Sequence, residues 1–120
     1  MIFEELRPEH FREWGMDFEP DDAVFCGFAA RGADGALAVI CCCYADDGKW
    51  IASFARRGGY PASVHREMIK AVLALRSAGV TEIWANADPL VPRSREFLEY
   101  FGFKPTGNGL EYCKRFSRMH

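Results

Sequence analysis

The stretch Phe54-Ala-Arg-Arg-Gly-Gly-Tyr-Pro-Ala-Ser-Val-His65 decides how the rest of the chain is read. It begins inside an apolar strand pattern, Trp50 to Ala55, and passes through two arginines and two glycines. Pro61 follows, and then a helical pattern that runs to about Ala78. A strand, a basic glycine-containing turn and a helix N-terminus, in that order, are suited to holding an anion. Free backbone N–H groups leave the turn, the first helical turn adds partial positive charge, and the arginines supply full charge. The same turn also serves as a plain strand-to-helix connection with solvated arginines, so the surrounding elements must decide.

Downstream, Val64, Met68, Val72 and Leu75 recur at helical spacing, with Ile69 and Leu73 widening the stripe. Gly79 closes that helix. Val80 to Ala87 reads as a strand, a loop with Pro89 and Pro92 follows, and a helix spans roughly Pro92 to Phe101, stopped by Gly102. A last strand lies near Leu110 to Phe116. Upstream, Met1 to Leu6 reads as a short strand and Pro8 to Trp14 as a short helix, with Pro8 at its first position. Asp17 to Asp22 is an acidic loop. Ala23 to Ala30 and Ala36 to Tyr44 form a hairpin about the turn Arg31-Gly-Ala-Asp-Gly35, and Ala45-Asp-Asp-Gly48 turns into the strand ending at Ala55. The order is β-α-β-β-β-α-β-α-β. The fold expected is a single α/β (α+β) domain over residues 1–120. One mixed sheet holds an antiparallel meander and then a parallel pair joined by a crossover helix.

The totals bound the function. A chain of 120 residues with a hydrophobic fraction of 49% builds its core without metal or disulfide staples. A net charge of −2 and a pI near 5.9 argue against nucleic acid and acidic membrane as partners. No run is long enough to span a membrane, and the N-terminus lacks a basic-then-apolar leader. Of five cysteines, Cys41, Cys42 and Cys43 are consecutive within a strand, while Cys26 and Cys113 stand apart. That spacing suits neither a disulfide framework nor a metal site, and small buried thiols in a reducing cytoplasm are the expectation.

With these elements placed, the chain resembles the GNAT superfamily of acyl-CoA-dependent N-acyltransferases, in a short form like those encoded in phages and prophages. Two places carry the resemblance. The family's pyrophosphate turn, Gln/Arg-x-x-Gly-x-Gly/Ala, reads here Arg56-Arg57-Gly58-Gly59-Tyr60-Pro61, matching at Arg56 and Gly59 and departing at Pro61. The family's late signature is a strand ending in Asn and a helix closing on Gly-Phe. Here it reads Ile83-Trp-Ala-Asn86 and then Phe97-Leu-Glu-Tyr-Phe-Gly-Phe103.

The resemblance implies acetyl-CoA as co-substrate and an amine, small molecule or peptide, as acceptor. It implies that the strand before the turn splays from the next parallel strand and that the pantetheine arm pairs with backbone near Phe54 and Ala55. The pyrophosphate would rest on Arg56, Arg57, Gly58, Gly59, Tyr60 and Ala62, with Asn86 contributing from the neighbouring strand. A homodimer is compatible with it. Pro61 lacks an N–H, and one hydrogen bond to a charged group is worth roughly 1.5–3 kcal/mol. The position where relatives carry a thiolate-protonating tyrosine is Leu98, and Tyr100 is about 200° further round the helix. No general base declares itself: Asp46 and Asp47 sit on a turn, His65 is expected to face solvent, and His10 and His120 have no evident partners. Glu111 and Tyr112 are weak candidates at the substrate end. The catalytic residues thus stay open. An alternative function follows, a non-catalytic binding or assembly module of phage origin that keeps the fold.

Overall fold

The computed structural model describes residues 1–16 and 24–116, so the acidic loop expected at Asp17 to Asp22 lies outside the described residues. Its elements are β1 (Ile2–Glu5), α1 (Pro8–Glu13), β2 (Phe25–Arg31), β3 (Leu37–Asp46) and β4 (Lys49–Arg56). There follow α2 (Ser63–Ser77), β5 (Glu82–Asn86), α3 (Ser94–Tyr100), β6 (Lys104–Pro105) and β7 (Glu111–Arg115). The strands form one seven-stranded sheet in the order β1-β2-β3-β4-β5-β7-β6. β4 and β5 are parallel and every other described neighbour pair is antiparallel. The meander and the crossover helix are as the sequence predicts. The two-residue β6 is an addition that hydropathy patterning does not show, because Lys104 and Pro105 are both exposed.

Helix ends follow from glycine. Gly79 (φ +95°) and Gly102 (φ +85°) adopt the left-handed conformation that closes α2 and α3. Val80 N–H bonds Leu75 O and Phe103 N–H bonds Leu98 O, both at 3.0 Å, in matching Schellman closures. In each closure the two bonded residues pack into or against one core cluster.

The sheet has two covered faces, and the three consecutive cysteines divide between them. Cys42, with Leu6, Phe11, Ala29, Leu37 and Ile40, packs on the α1 face. Cys41 joins Phe28, Val39, Val64 and Met68 under α2. Cys43 joins Leu75, Ile83, Ala85, Leu98, Phe103 and Tyr112 on the same side. Fully burying one such aliphatic chain as Ile83 or Val64 contributes about 1.5–3 kcal/mol. Phe97, Phe101 and Val72 are half-buried at the rim of these clusters. Ile69 and Leu73 correct the expected stripe. They are 45% and 49% exposed, because the sheet covers only the Val64–Met68–Leu75 line of α2.

Gly27 sits where only glycine fits. Its φ is +146°, and a Cβ there would stand 2.0 Å from the Cys41 carbonyl oxygen. His10 also departs from expectation. It is buried beside Glu4, and its Nδ1 accepts the Arg7 N–H at 2.9 Å.

Candidate functional site

β4 pairs with β3 along its whole length, from Asp46↔Lys49 to Val39↔Arg56. With β5 it pairs only at Trp50↔Ile83 and Ile51↔Trp84. Beyond that point the two parallel strands separate, leaving a gap between Ala52–Arg56 and Ala85–Asn86.

Backbone alternation decides which groups face that gap. Arg57 N–H donates to Ala38 O at 2.9 Å, so Ile51, Ser53, Ala55 and Arg57 turn their backbone groups toward β3. Ala52, Phe54 and Arg56 turn theirs the other way. On β5, Ala87 N–H donates to Leu110 O at 2.9 Å, which commits Ala85 and Ala87 to β7 and points Asn86 into the gap. Phe54 and Asn86 thus present facing backbone edges where the ladder stops. Such groups need a partner, whether water or ligand. Ala55, next in sequence, spends its backbone groups on Ile40.

The turn after β4 is open and basic. Gly58 has φ +73°, and a Cβ on Gly58 or Gly59 would meet nothing within 4 Å. Ala62 is the N-cap of α2 and has no side-chain acceptor, and the first turn carries no acidic residue. The orphan N–H donors of that helix end therefore receive no acceptor from the helix's own side chains. Pro61 lies one residue before the cap, and its carbonyl accepts the Val64 N–H at 3.1 Å.

Both arginines are engaged rather than simply solvated. Arg56 Nη1 donates to Gly58 O at 2.8 Å, and its guanidinium lies 5.4 Å from the Tyr60 ring centre. Arg57 Nη2 donates to Trp14 O at 3.2 Å, and its guanidinium lies 4.9 Å from the Trp14 ring centre. Neither is ion-paired among the described residues. Both remain exposed, so their charge is available to an anion.

An aromatic cluster joins the end of β4 to the two helices. Phe54 stacks on Phe97 with ring centres 5.0 Å apart and meets Tyr60 edge-on at 5.5 Å. His65 contacts Tyr60, Phe97, Tyr100 and Phe101, and its Nε2 lies 3.1 Å from the Tyr60 hydroxyl. Burial raises the Tyr60 pKa, against a smaller opposing effect of Arg56. His65 is therefore half-buried among rings rather than facing solvent.

Of the residues singled out from sequence, Phe54 and Asn86 face each other across the gap. Arg56, Arg57, Gly58, Gly59, Tyr60 and Ala62 follow one another around the turn at its open end, and Ala55 faces β3. Trp14, His65 and Phe97 belong to the same region and were not expected there. Trp14 comes from an element 43 residues away, which local pattern does not register. Leu98 is buried in the core, and Tyr100 is 70% exposed. Tyr112 is 2% exposed inside the core, away from any solvent edge, and Glu111 accepts the Thr106 hydroxyl at 2.9 Å. The facing stretches Ala52–Arg56 and Ala85–Asn86 carry no carboxylate or imidazole. No group of three or more metal-ligating side chains occurs among the described residues, nor any helix long and apolar enough to cross a membrane.

A mixed sheet with three helices, and a central parallel pair that separates beside a basic strand-to-helix turn, is a GNAT-like fold. The chain is similar in structure to a PaiA N-acetyltransferase from Thermoplasma acidophilum, solved in complex with coenzyme A, with a TM-score of 0.58 at 14% sequence identity. The likeness covers 88% of this chain but only 65% of that one, so this chain spans about two thirds of its neighbour's length. At that identity the likeness establishes the fold. No protein-family model matches the chain, and no curated protein matches it by sequence.

Proposed function

We propose that the protein binds acetyl-CoA in the β4–β5 gap and transfers the acetyl group to an amine, carried by a small molecule or a peptide. One observation carries the reading: backbone edges at Phe54 and Asn86 without a ladder partner face each other beside a helix end with no side-chain cap and two arginines that form no ion pair among the described residues. Coenzyme A is a long amide-containing arm with a pyrophosphate at one end, and the gap and the turn match those two parts in sequence. The CoA complex of the structural neighbour supports the same assignment.

Bound acetyl-CoA supplies an acetyl group activated as a thioester. Phe54 N–H and C=O hold the arm by strand-like hydrogen bonds, with Asn86 bonding from the opposite edge. The N–H groups of Gly58, Gly59, Tyr60, Ala62 and Ser63, with Arg56 and Arg57, hold the pyrophosphate. A fixed N–H at the gap edge near Phe54 polarises the thioester carbonyl without reorganising. The cytoplasm, with its reduced thiols, is part of this proposal.

A second reading is favoured by a specific observation. Leu98, where a tyrosine would protonate the departing thiolate, is 8% exposed and packed in the core, and the gap edges lack an acid or base. A non-catalytic binder or assembly module, with the chemistry lost, fits those facts.

Thermal unfolding with acetyl-CoA separates the readings. A ligand at about 100 Kd stabilises the fold by roughly 2.7 kcal/mol. With an unfolding entropy of about 0.25 kcal/mol/K for 120 residues, that raises Tm by about 10 °C. Stabilisation with thiol release on adding amines establishes the transferase, and stabilisation without release across a broad panel establishes the binder. Absence of stabilisation at millimolar acetyl-CoA removes the transferase and leaves the binding or assembly module.

A further inference from the structure

Cys26 and Cys43 are directly opposite one another across β2 and β3. Ala45 N–H donates to Val24 O at 3.0 Å, which makes the Cys26/Cys43 pair, two steps along, a hydrogen-bonded one. The Cα atoms of such a pair stand about 5.5 Å apart, inside the roughly 4.4–6.8 Å range that a disulfide spans. Residues directly opposite share a face of the sheet, and both thiols lie on the α2 side, with Cys26 packed against the cluster that contains Cys43. A bulge between Ala30 and Arg31 sets this partnership. The turn begins with Arg31↔Leu37, and continued without the bulge it would bring Cys42 opposite Cys26 instead.

The two thiols differ in access. Cys26 is half-buried, whereas Cys41, Cys42, Cys43 and Cys113 are buried. The hydrogen bond from the Cys43 thiol, outweighing partial burial, lowers the Cys26 pKa to about 7. The same bond and burial push Cys43 upward, and burial raises Cys41 and Cys42 to about 12.

We propose that Cys26 and Cys43 form a redox site, in which Cys26 is the attacking thiolate, Cys43 the resolving thiol and a small-molecule disulfide the oxidant. The Cys26 thiolate attacks one sulfur of the oxidant, forming a mixed disulfide and expelling the first thiolate. Cys43 then gives up its proton and attacks the Cys26 sulfur, expelling the second. Two protein thiols become one disulfide, and the oxidant becomes two thiols. The bridge staples β2 to β3, with Ala52 opposite Cys43 on the third strand, where the gap begins to open. This site stands on the β2–β3 register and not on the CoA reading.

The test incubates the reduced full chain with oxidised glutathione under native conditions, quenches in acid, and titrates thiols after denaturation. The wild type falls from five thiols to three, with a mapped Cys26–Cys43 peptide pair. Cys43→Ser stops at the mixed disulfide, retaining three of its four thiols and carrying one glutathione on Cys26. Cys26→Ser retains all four. The rate of thiol loss rises with pH through about 7, following the Cys26 thiolate. Retention of five thiols by the wild type overturns the proposal. So does a bridge mapped to another pair, or glutathione on Cys41, Cys42 or Cys113 of the Cys43→Ser protein.

Discussion

Replacing Arg57 by alanine separates what the turn contributes to folding from what it contributes to binding. In the free protein the substitution removes a guanidinium stacked 4.9 Å from the Trp14 ring centre and a 3.2 Å hydrogen bond to the Trp14 carbonyl. An exposed cation–π contact is worth about 0.5–1 kcal/mol and a hydrogen bond about 0.5–1.5 kcal/mol. The expected loss is therefore about 1–2.5 kcal/mol, or about 4–10 °C in Tm for 120 residues. Exposure alone would suggest no loss, and the tie to Trp14 is why one is expected. In the complex the same change removes one charge-assisted hydrogen bond to the pyrophosphate, worth about 1.5–3 kcal/mol, so Kd for coenzyme A rises about tenfold to 150-fold. Calorimetric titration with coenzyme A, and in parallel with pantetheine, reads the two parts of the ligand. Affinity for pantetheine, which lacks the pyrophosphate, stays within about twofold of wild type. Arg57→Ala binding coenzyme A as tightly as wild type would refute the assignment of the turn, whatever happens to Tm.

Two further predictions concern the scaffold. Gly27→Ala must move a Cβ out of contact with the Cys41 carbonyl oxygen at 2.0 Å while holding a φ that only glycine adopts readily, so about 3–5 kcal/mol is lost. Urea unfolding within about 1 kcal/mol of wild type would contradict that close approach. Hydrogen bonds from Arg31 hold the Glu4 and Glu13 carboxyls below their ordinary 4.5. The unfolded chain then binds more protons than the native one, and the stabilisation, complete above 4.5, is lost as pH falls from there through the lowered native values. Arg31→Gln should flatten that acid limb in a series of melting curves, and an unchanged limb would show that the carboxyls titrate normally.

Much of this architecture was legible because local signals agree with the tertiary answer. Val64, Met68 and Leu75 mark the buried side of α2, Gly79 and Gly102 place the Schellman ends, and the two turns in the meander fix three strands. The basic turn and Asn86 were legible as motif. What failed to show was set by distance and register. Ile69 and Leu73 look like core by spacing, yet no second layer among the described residues covers them. Arg57 reads as solvated until α1 brings Trp14 beneath it. The partner of Cys26 depends on one bulged residue at Ala30/Arg31, and counting from the turn without it pairs Cys26 with Cys42. His65 looked solvent-facing because nothing local announces that α3 folds Phe97 and Phe101 against it.

The central claim is that the arm of coenzyme A occupies the gap between β4 and β5, and amide hydrogen exchange measured residue by residue tests it most directly. In the free protein the Ala55 amide, bonded across to β3, exchanges slowly, while the amides of Phe54 and Asn86, which face the gap, exchange faster. Saturating coenzyme A should slow Phe54 and Asn86 markedly and leave Ala55 as it was. Exchange at Phe54 and Asn86 unchanged by bound coenzyme A, or protection confined to some other part of the sheet, would contradict the account.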